Sequence, residues 1–161
     1  MSSRIGNSGE NSSGLEGGFA IASRFDDFDA FEEVVGGWDL DFRQMDRGAF
    51  DAQLEQVATP AVILTHCVLS RKIEQRGCPP DGCLSFGIPA HDQLEVHWRG
   101  KDLGGRNLML FPPGRELDCV SMPGFDVYTV SISEAALVEA ATPVGLRIGM
   151  IDLIRLGEEI D

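Results

Sequence analysis

The sequence predicts a mainly β chain that closes into a small antiparallel barrel or sandwich. Three observations carry this reading. From Leu84 to Ser133 the chain runs LSFGIPA, LEVHWRG, LMLFPPGREL and FDVYTVSIS, apolar stretches broken by Gly and Pro at roughly ten-residue spacing. Within those stretches apolar and polar residues alternate, as they do on a strand with one wet face. Helical spacing of apolar residues occurs only near the two ends.

The elements follow in chain order. Residues 1–24 are rich in Gly and Ser and poor in aromatics, which predicts an unstructured tail that cannot offset its chain entropy by burial. Phe25, Phe28 and Phe31 recur with acids between them and Val35 continues the stripe, so a short amphipathic helix is expected over 25–35, closed by Gly36-Gly37. Asp39–Asp46 and Ala49–Ala58 read as a hairpin turning at Arg47-Gly48, where Gly supplies a positive φ. Pro60 opens a strand, AVILTHCVLSRKIEQ, with Val62, Leu64, His66 and Val68 on one face and Ile63, Thr65, Cys67 and Leu69 on the other. Pro80-Asp81-Gly82 is a tight reversal before a strand over 84–90. Leu94, Val96 and Trp98 oppose Glu95, His97 and Arg99. Gly100 and Gly104-Gly105 mark the next reversals, and 107–111 and 116–121 flank the Pro112-Pro113-Gly114 turn. Asp126–Ser133 closes the barrel with Tyr128, Val130 and Ile132 on one face. Ser133 then caps a helix beginning EAAL, which Pro143 and Gly145 end, and 148–160 carries apolar residues at helical spacing.

Length and charge bound the function. The 161 residues suffice for one hydrophobic core. A net charge of −13 argues against a phosphate-binding surface and against anionic membranes. No run approaches the ~18 apolar residues of a spanning helix, and MSSRIGNSGENSSG lacks a signal peptide's apolar core, so a cytoplasmic location is expected. Cys67, Cys78, Cys83 and Cys119 form no CxxC pair and are read as free thiols that pack as small hydrophobes.

Catalytic groups do not assemble in the sequence. Metal-dependent cupin barrels hold a divalent ion with His and Glu ligands from inward strand positions, beginning with a His-x-His pair on one strand face. His66, His91 and His97 each stand alone, and Leu117 occupies the place, three residues after Gly114, where a further His ligand is expected. No metal and no cofactor are expected. Cys67 follows His66 directly, and strand neighbours point to opposite faces, so the pair forms no dyad. The Asp26, Asp27, Asp29, Glu32 and Glu33 cluster lacks calcium-loop spacing and reads as a solvated helix face. What remains is an apolar interior with a few polar side chains expected to face inward: His66, Trp98, Tyr128, Arg43 and Gln44. Such a lining suits an organic ligand held by one or two hydrogen bonds, against the plainer reading that Trp98 and Tyr128 only fill the core.

WDLDFRQMDRGAFDAQL, RGCPPDGCLSFGIPA, WRGKDL, LMLFPPGRELDCVSMPGFDVYTVSIS and SEAAL, in this order and spacing, resemble the N-terminal sensor domain of AraC-type transcriptional regulators, in particular the subgroup of ethanolamine-operon regulators. The resemblance covers about residues 25–140. It implies a cupin-like jelly-roll barrel with a short N-terminal helix and one or two C-terminal helices, a small-molecule effector, and homodimerisation. Ile148, Ile151 and Ile154, on the linker or dimerisation segment 141–161, are the expected dimer seam. In the family a domain of two helix-turn-helix units then reads DNA. The acidic stretch ending GEEID has the wrong length and charge for that role, so direct nucleic-acid binding is not expected of this chain, which reads as a sensor cut from its DNA reader or standing alone. The alternatives are a small standalone cupin enzyme, an isomerase or oxygenase, and a structural partner-binding barrel.

Overall fold

Period-2 alternation dictates two faces per strand, and the chain buries one face of each strand against a second sheet. The computed structural model describes residues 18–35, 38–98 and 100–145. In order, they form β1 (Phe19–Phe25), α1 (Phe28–Val34), β2 (Asp39–Gln44), β3 (Ala52–Ala58), β4 (Val62–Leu69), β5 (Ile73–Cys78), β6 (Cys83–Pro89), β7 (Glu95–Trp98), β8 (Lys101–Gly104), β9 (Met109–Phe111), β10 (Leu117–Ser121), β11 (Phe125–Ser133) and α2 (Glu134–Ala141), with a 3₁₀ turn at Thr142–Val144. A six-stranded sheet runs β1-β3-β4-β11-β6-β9 and a five-stranded sheet runs β2-β5-β10-β7-β8. Every ladder is antiparallel. The mainly β fold with a short N-terminal helix and a C-terminal helix is the predicted one.

Three local expectations are corrected. The unstructured tail does not extend to residue 24: Phe19–Phe25 pairs along its whole length with β3, from Phe19↔Ala58 to Phe25↔Ala52. Phe19, Ile21 and Phe25 share one face of β1, and the ladder satisfies backbone groups that composition alone cannot reveal. The helix is accordingly shorter, starting after Asp27, whose Oδ1 accepts from Ala30 N–H at 2.9 Å.

The hairpin expected between β2 and β3 does not form, because the two strands lie in different sheets. The intervening loop is a corner. Arg71 Nε donates to Ala49 O at 2.8 Å, Gln44 Nε2 donates to Asp46 O at 2.9 Å and to Gly48 O at 3.1 Å, and Met45 N–H donates to Lys72 O at 2.8 Å. Gly48 has the expected positive φ, 135°, in the service of this corner. The same corner splits the long strand expected after Pro60 into β4 and β5, which enter opposite sheets. The Ser133 cap is as predicted, its Oγ accepting from Ala136 N–H at 3.2 Å. Gly36-Gly37 and the dimer seam Ile148, Ile151 and Ile154 lie outside the described residues.

The core is organised around Phe31, only 1% exposed. Its ring meets Phe25 of the larger sheet at 5.6 Å, Phe42 of the smaller sheet at 5.5 Å and Phe50 at 5.5 Å, mostly edge to face. α1 thereby plugs one end of the two-sheet barrel. β2 reaches its place because Gly77 on β5, with φ 143°, carries no Cβ; one there would stand 1.9 Å from Asp39 O. Phe31→Ala is expected to lower unfolding stability by about 3–5 kcal/mol, since the plug joins both sheets. Urea denaturation followed by circular dichroism measures this, and a loss below about 1 kcal/mol would show that Phe31 is not the clasp.

Candidate functional site

Between the sheets the side chains do not fill all the space. A half-enclosed cavity of about 70 Å³ remains, and α1 and the residues after it contribute Phe31, Val35 and Trp38 to its lining. Leu54, Gln56, Thr65, Cys67, Leu69, Val127 and Thr129 come from the larger sheet, and Leu40, Phe42, Gln75, Trp98, Leu117 and Cys119 from the smaller one. Phe111 stands between the two tryptophans, with ring centroids 4.9 Å from Trp38 and 4.8 Å from Trp98, both edge to face. Among the described residues, none that lines the cavity carries a formal charge near neutral pH.

The polar part of the lining is ordered by register. Gln56 pairs with Thr65 and Thr65 with Thr129, so three polar side chains lie in one row across β3, β4 and β11. Gln56, 3% exposed, donates from Nε2 to Thr65 Oγ1 at 3.0 Å. The next rows toward the plug are Leu54–Cys67–Val127 and Ala52–Leu69–Phe125, wholly apolar apart from the thiol. Across the cavity, Gln75 Nε2 donates to Ser121 Oγ at 3.3 Å, and Ser121 Oγ donates to Ile73 O at 3.2 Å. The cavity lining thus combines aromatic walls with a short neutral hydrogen-bonding row.

Of the residues expected to face inward, Trp98 does. His66 and Tyr128 do not, which corrects their expected placement. They sit side by side on the outer face of the larger sheet, rings stacked at 4.3 Å and 11°, and Tyr128 is 40% exposed. His66 Nε2 donates to Asp126 Oδ1 at 2.8 Å, and Nδ1 lies 3.5 Å from Glu55 Oε2. β4 is apolar on both faces, so its own sequence does not say which face turns in; pairing with β3 and β11 selects Thr65, Cys67 and Leu69. Arg43 is exposed on β2, and Gln44 is spent on the corner described above. Gln56, Thr65, Thr129 and Gln75 were missed as site residues. One signal was legible for Gln56: it occupies a buried phase of β3, between Leu54 and Ala58.

The histidines lie apart. His97 Nδ1 donates to Asp102 Oδ1 at 2.9 Å on the exposed β7–β8 hairpin, and His91 sits in the loop before β7. Leu117 is buried on the cavity wall. Among the described residues no group of three His, Cys, Asp or Glu side chains converges as a metal site requires.

All four cysteines are free thiols. Burial, then the nearby Asp126, pushes the Cys67 thiol up to about 12, and burial, then Asp118, does the same to Cys119. Burial and Asp81 raise Cys83 more modestly. Cys67 retains partial exposure because its side chain faces the cavity. Both deep thiols stay neutral, so the stability tied to them is complete below about pH 9 and falls as pH rises toward 12. At pH 8 their thiolate fraction is roughly a thousandfold below that of an ordinary thiol. Iodoacetamide on the native protein is therefore expected to label Cys78 first and Cys83 more slowly, and Cys67 and Cys119 only after denaturation. Peptide mass spectrometry reads the order; equal native labelling of Cys67 and Cys78 would contradict it.

The chain matches no family model and no curated protein. Among solved structures it is similar to the AraC-like transcriptional activator CuxR, with a TM-score of 0.54 and 11% identity over 88% of this chain and 66% of that one. It also overlaps an RmlC-like cupin from Shewanella frigidimarina NCIMB 400, TM-score 0.40 and 13% identity over 62% of this chain and 90% of that one. A Cupin 2 conserved barrel domain protein from Salinispora arenicola CNS-205 gives a TM-score of 0.38 and 16% identity over 65% of this chain and 85% of that one. The chain therefore spans just under two thirds of the length of the AraC-like activator. At these identities the likeness is one of fold: the chain is a two-sheet antiparallel β barrel, similar in fold to an AraC-like activator.

Proposed function

We propose that this chain is the small-molecule-sensing and dimerising domain of an AraC-type regulator, that it works in the cytoplasm, and that it catalyses no reaction. The observation that carries the reading is the cavity between the sheets, walled by aromatic and aliphatic side chains with a short neutral polar row. Binding without turnover suits this lining. General acid–base work needs a group that exchanges protons near the operating pH, and the described residues of the lining offer no carboxylate, no imidazole and only thiols held near 12. The AraC-like fold neighbour supports the regulatory assignment, and the ethanolamine-operon subgroup remains the sequence resemblance behind it. With a net charge of −13, contact with DNA falls to a separate reader domain.

A second observation supports pairing with another copy. On the outer face of the larger sheet, Ala20, Val57, Leu64, Val130, Phe86 and Leu110 stand directly opposite one another across all six strands. α2 covers one end of this row through Leu137, against Leu84, Leu110 and Phe86. Val57, Leu64, Ile88 and Tyr128 remain exposed, Leu64 by 45%. At ~4.8 Å per strand and ~3.3 Å per residue the whole face measures about 24 by 26 Å, or ~600 Å², including the end that α2 covers. The uncovered part is smaller than the ~800 Å² per partner of a standard interface, and an isologous pair would apply the same patch from both sides.

Trp38 and Trp98 are the chain's two tryptophans and both line the cavity, so intrinsic fluorescence reports its occupancy. A metabolite screen is expected to yield a ligand that shifts tryptophan emission and raises the melting temperature, and Val127→Phe, which fills the cavity, is expected to abolish both effects. A screen without any such ligand would sink the sensing reading. Light scattering is expected to show a dimer that strengthens with salt, as like charges are screened, and Leu64→Glu is expected to shift it to monomer. Wild-type protein that stays monomeric at high concentration would refute the pairing.

A further inference from the structure

The lining of the cavity restricts what it can hold. We infer that the effector is an uncharged molecule about the size of one six-membered ring, bearing a single hydroxyl, carbonyl or carboxamide group. This inference rests on the sensing role proposed for the cavity and concerns the chemistry of that site.

Charge is decided first. Bringing a carboxylate or ammonium out of water costs several kcal/mol unless an opposite charge or several hydrogen bonds receive it. Among the described residues no Lys, Arg, His, Asp or Glu lines the cavity. The nearest acids act from outside: Asp126, beside Cys67 in sequence register, belongs to the outer face with His66, and Asp118 flanks Cys119 in the same way. Burial first, and these acids second, keep the two thiols neutral, so the thiolates that would attract a cation are not supplied. An anionic ligand would meet these same carboxylates as a repulsive field.

Polarity is decided by one row. Gln56, Thr65 and Thr129 are aligned in register in one row of the lining, and the Gln56–Thr65 hydrogen bond fixes that row as a pair of oriented dipoles. Side-chain amides and hydroxyls both donate and accept, which suits a hydroxyl, carbonyl or carboxamide group. Gln75, on the facing sheet, adds another neutral amide.

Shape and size come from the aromatic walls. Phe111 with Trp38 and Trp98 edge to face gives flat walls for a ring. A cavity of about 70 Å³ is smaller than the ~150 Å³ that accommodates benzene in a protein core, so a ring enters only if one lining side chain yields. Met109 is that side chain, an unbranched thioether on the edge strand β9. Two fused rings would exceed this allowance.

The test uses matched probes on the full chain: benzyl alcohol and benzamide as neutral members, benzoate and benzylammonium as charged isosteres, and toluene as the apolar control. Tryptophan emission and thermal shift read binding. Benzyl alcohol and benzamide are expected to bind at least tenfold more tightly than either charged isostere. Gln56→Met is expected to weaken benzyl alcohol and benzamide about tenfold while leaving toluene unchanged, which a general loss of structure would not do. If benzoate or benzylammonium binds and the neutral members do not, the neutral class is overturned while sensing by this cavity stands. Silence of all five probes overturns the inference, and only silence of the broad metabolite screen as well removes the sensing reading beneath it.

Discussion

The burial of Phe31 between two sheets is the contact on which the rest of this structure depends. Its ring touches Phe25 from the larger sheet and Phe42 from the smaller one, so a single side chain sets their separation at one end. Large aromatic rings close that end. Away from it on the larger sheet the inward residues become smaller or polar: Cys67, Val127, Thr65 and Thr129. The sheets cannot collapse onto these short side chains without breaking the contacts around Phe31. The cavity is therefore a consequence of unequal side-chain size along a fixed gap, as close packing elsewhere would lead one to expect.

The larger sheet does different work with its two faces. Its inner face carries the graded lining from Phe125 to Thr129, and its outer face carries the apolar row through Val57, Leu64 and Val130 together with the stacked His66 and Tyr128. A strand apolar on both faces can be buried on both, and β4 and β11 meet that condition by position, at the centre of their sheet. Charge is kept out of this arrangement. Among the described residues the acids lie off the cavity lining. The one effect of those acids that reaches inward is on the thiols of Cys67 and Cys119, which they help to keep protonated.

Much of the fold was legible from local rules. The strands after Pro80, the turn at Pro112-Pro113-Gly114 and the cap at Ser133 follow from alternation, turn chemistry and capping, all of which act within a few residues. Trp98 was placed correctly because Glu95 and His97 mark the wet face of its strand. His66 and Tyr128 were misplaced because Leu64 and Val130, their neighbours on the same face, are as apolar as the residues on the other face. The strand at Phe19–Phe25 was hidden by the Gly- and Ser-rich residues before it, and its partner lies more than twenty-five residues away in sequence.

The sequence by itself determined that this chain is β-rich, where most of its strands begin and end, and that its histidines are scattered singly. Those properties depend on spacing and turn residues, which are local. Only the tertiary structure decided which sheet each strand joins, which face of β4 turns inward, and that Gln56, Thr65 and Thr129 fall in one row. Register between distant strands is set by the balance of burial over a whole sheet, and a shift of one residue would exchange the two faces. For a strand such as β4, whose faces are alike in hydrophobicity, no short window of sequence contains that balance.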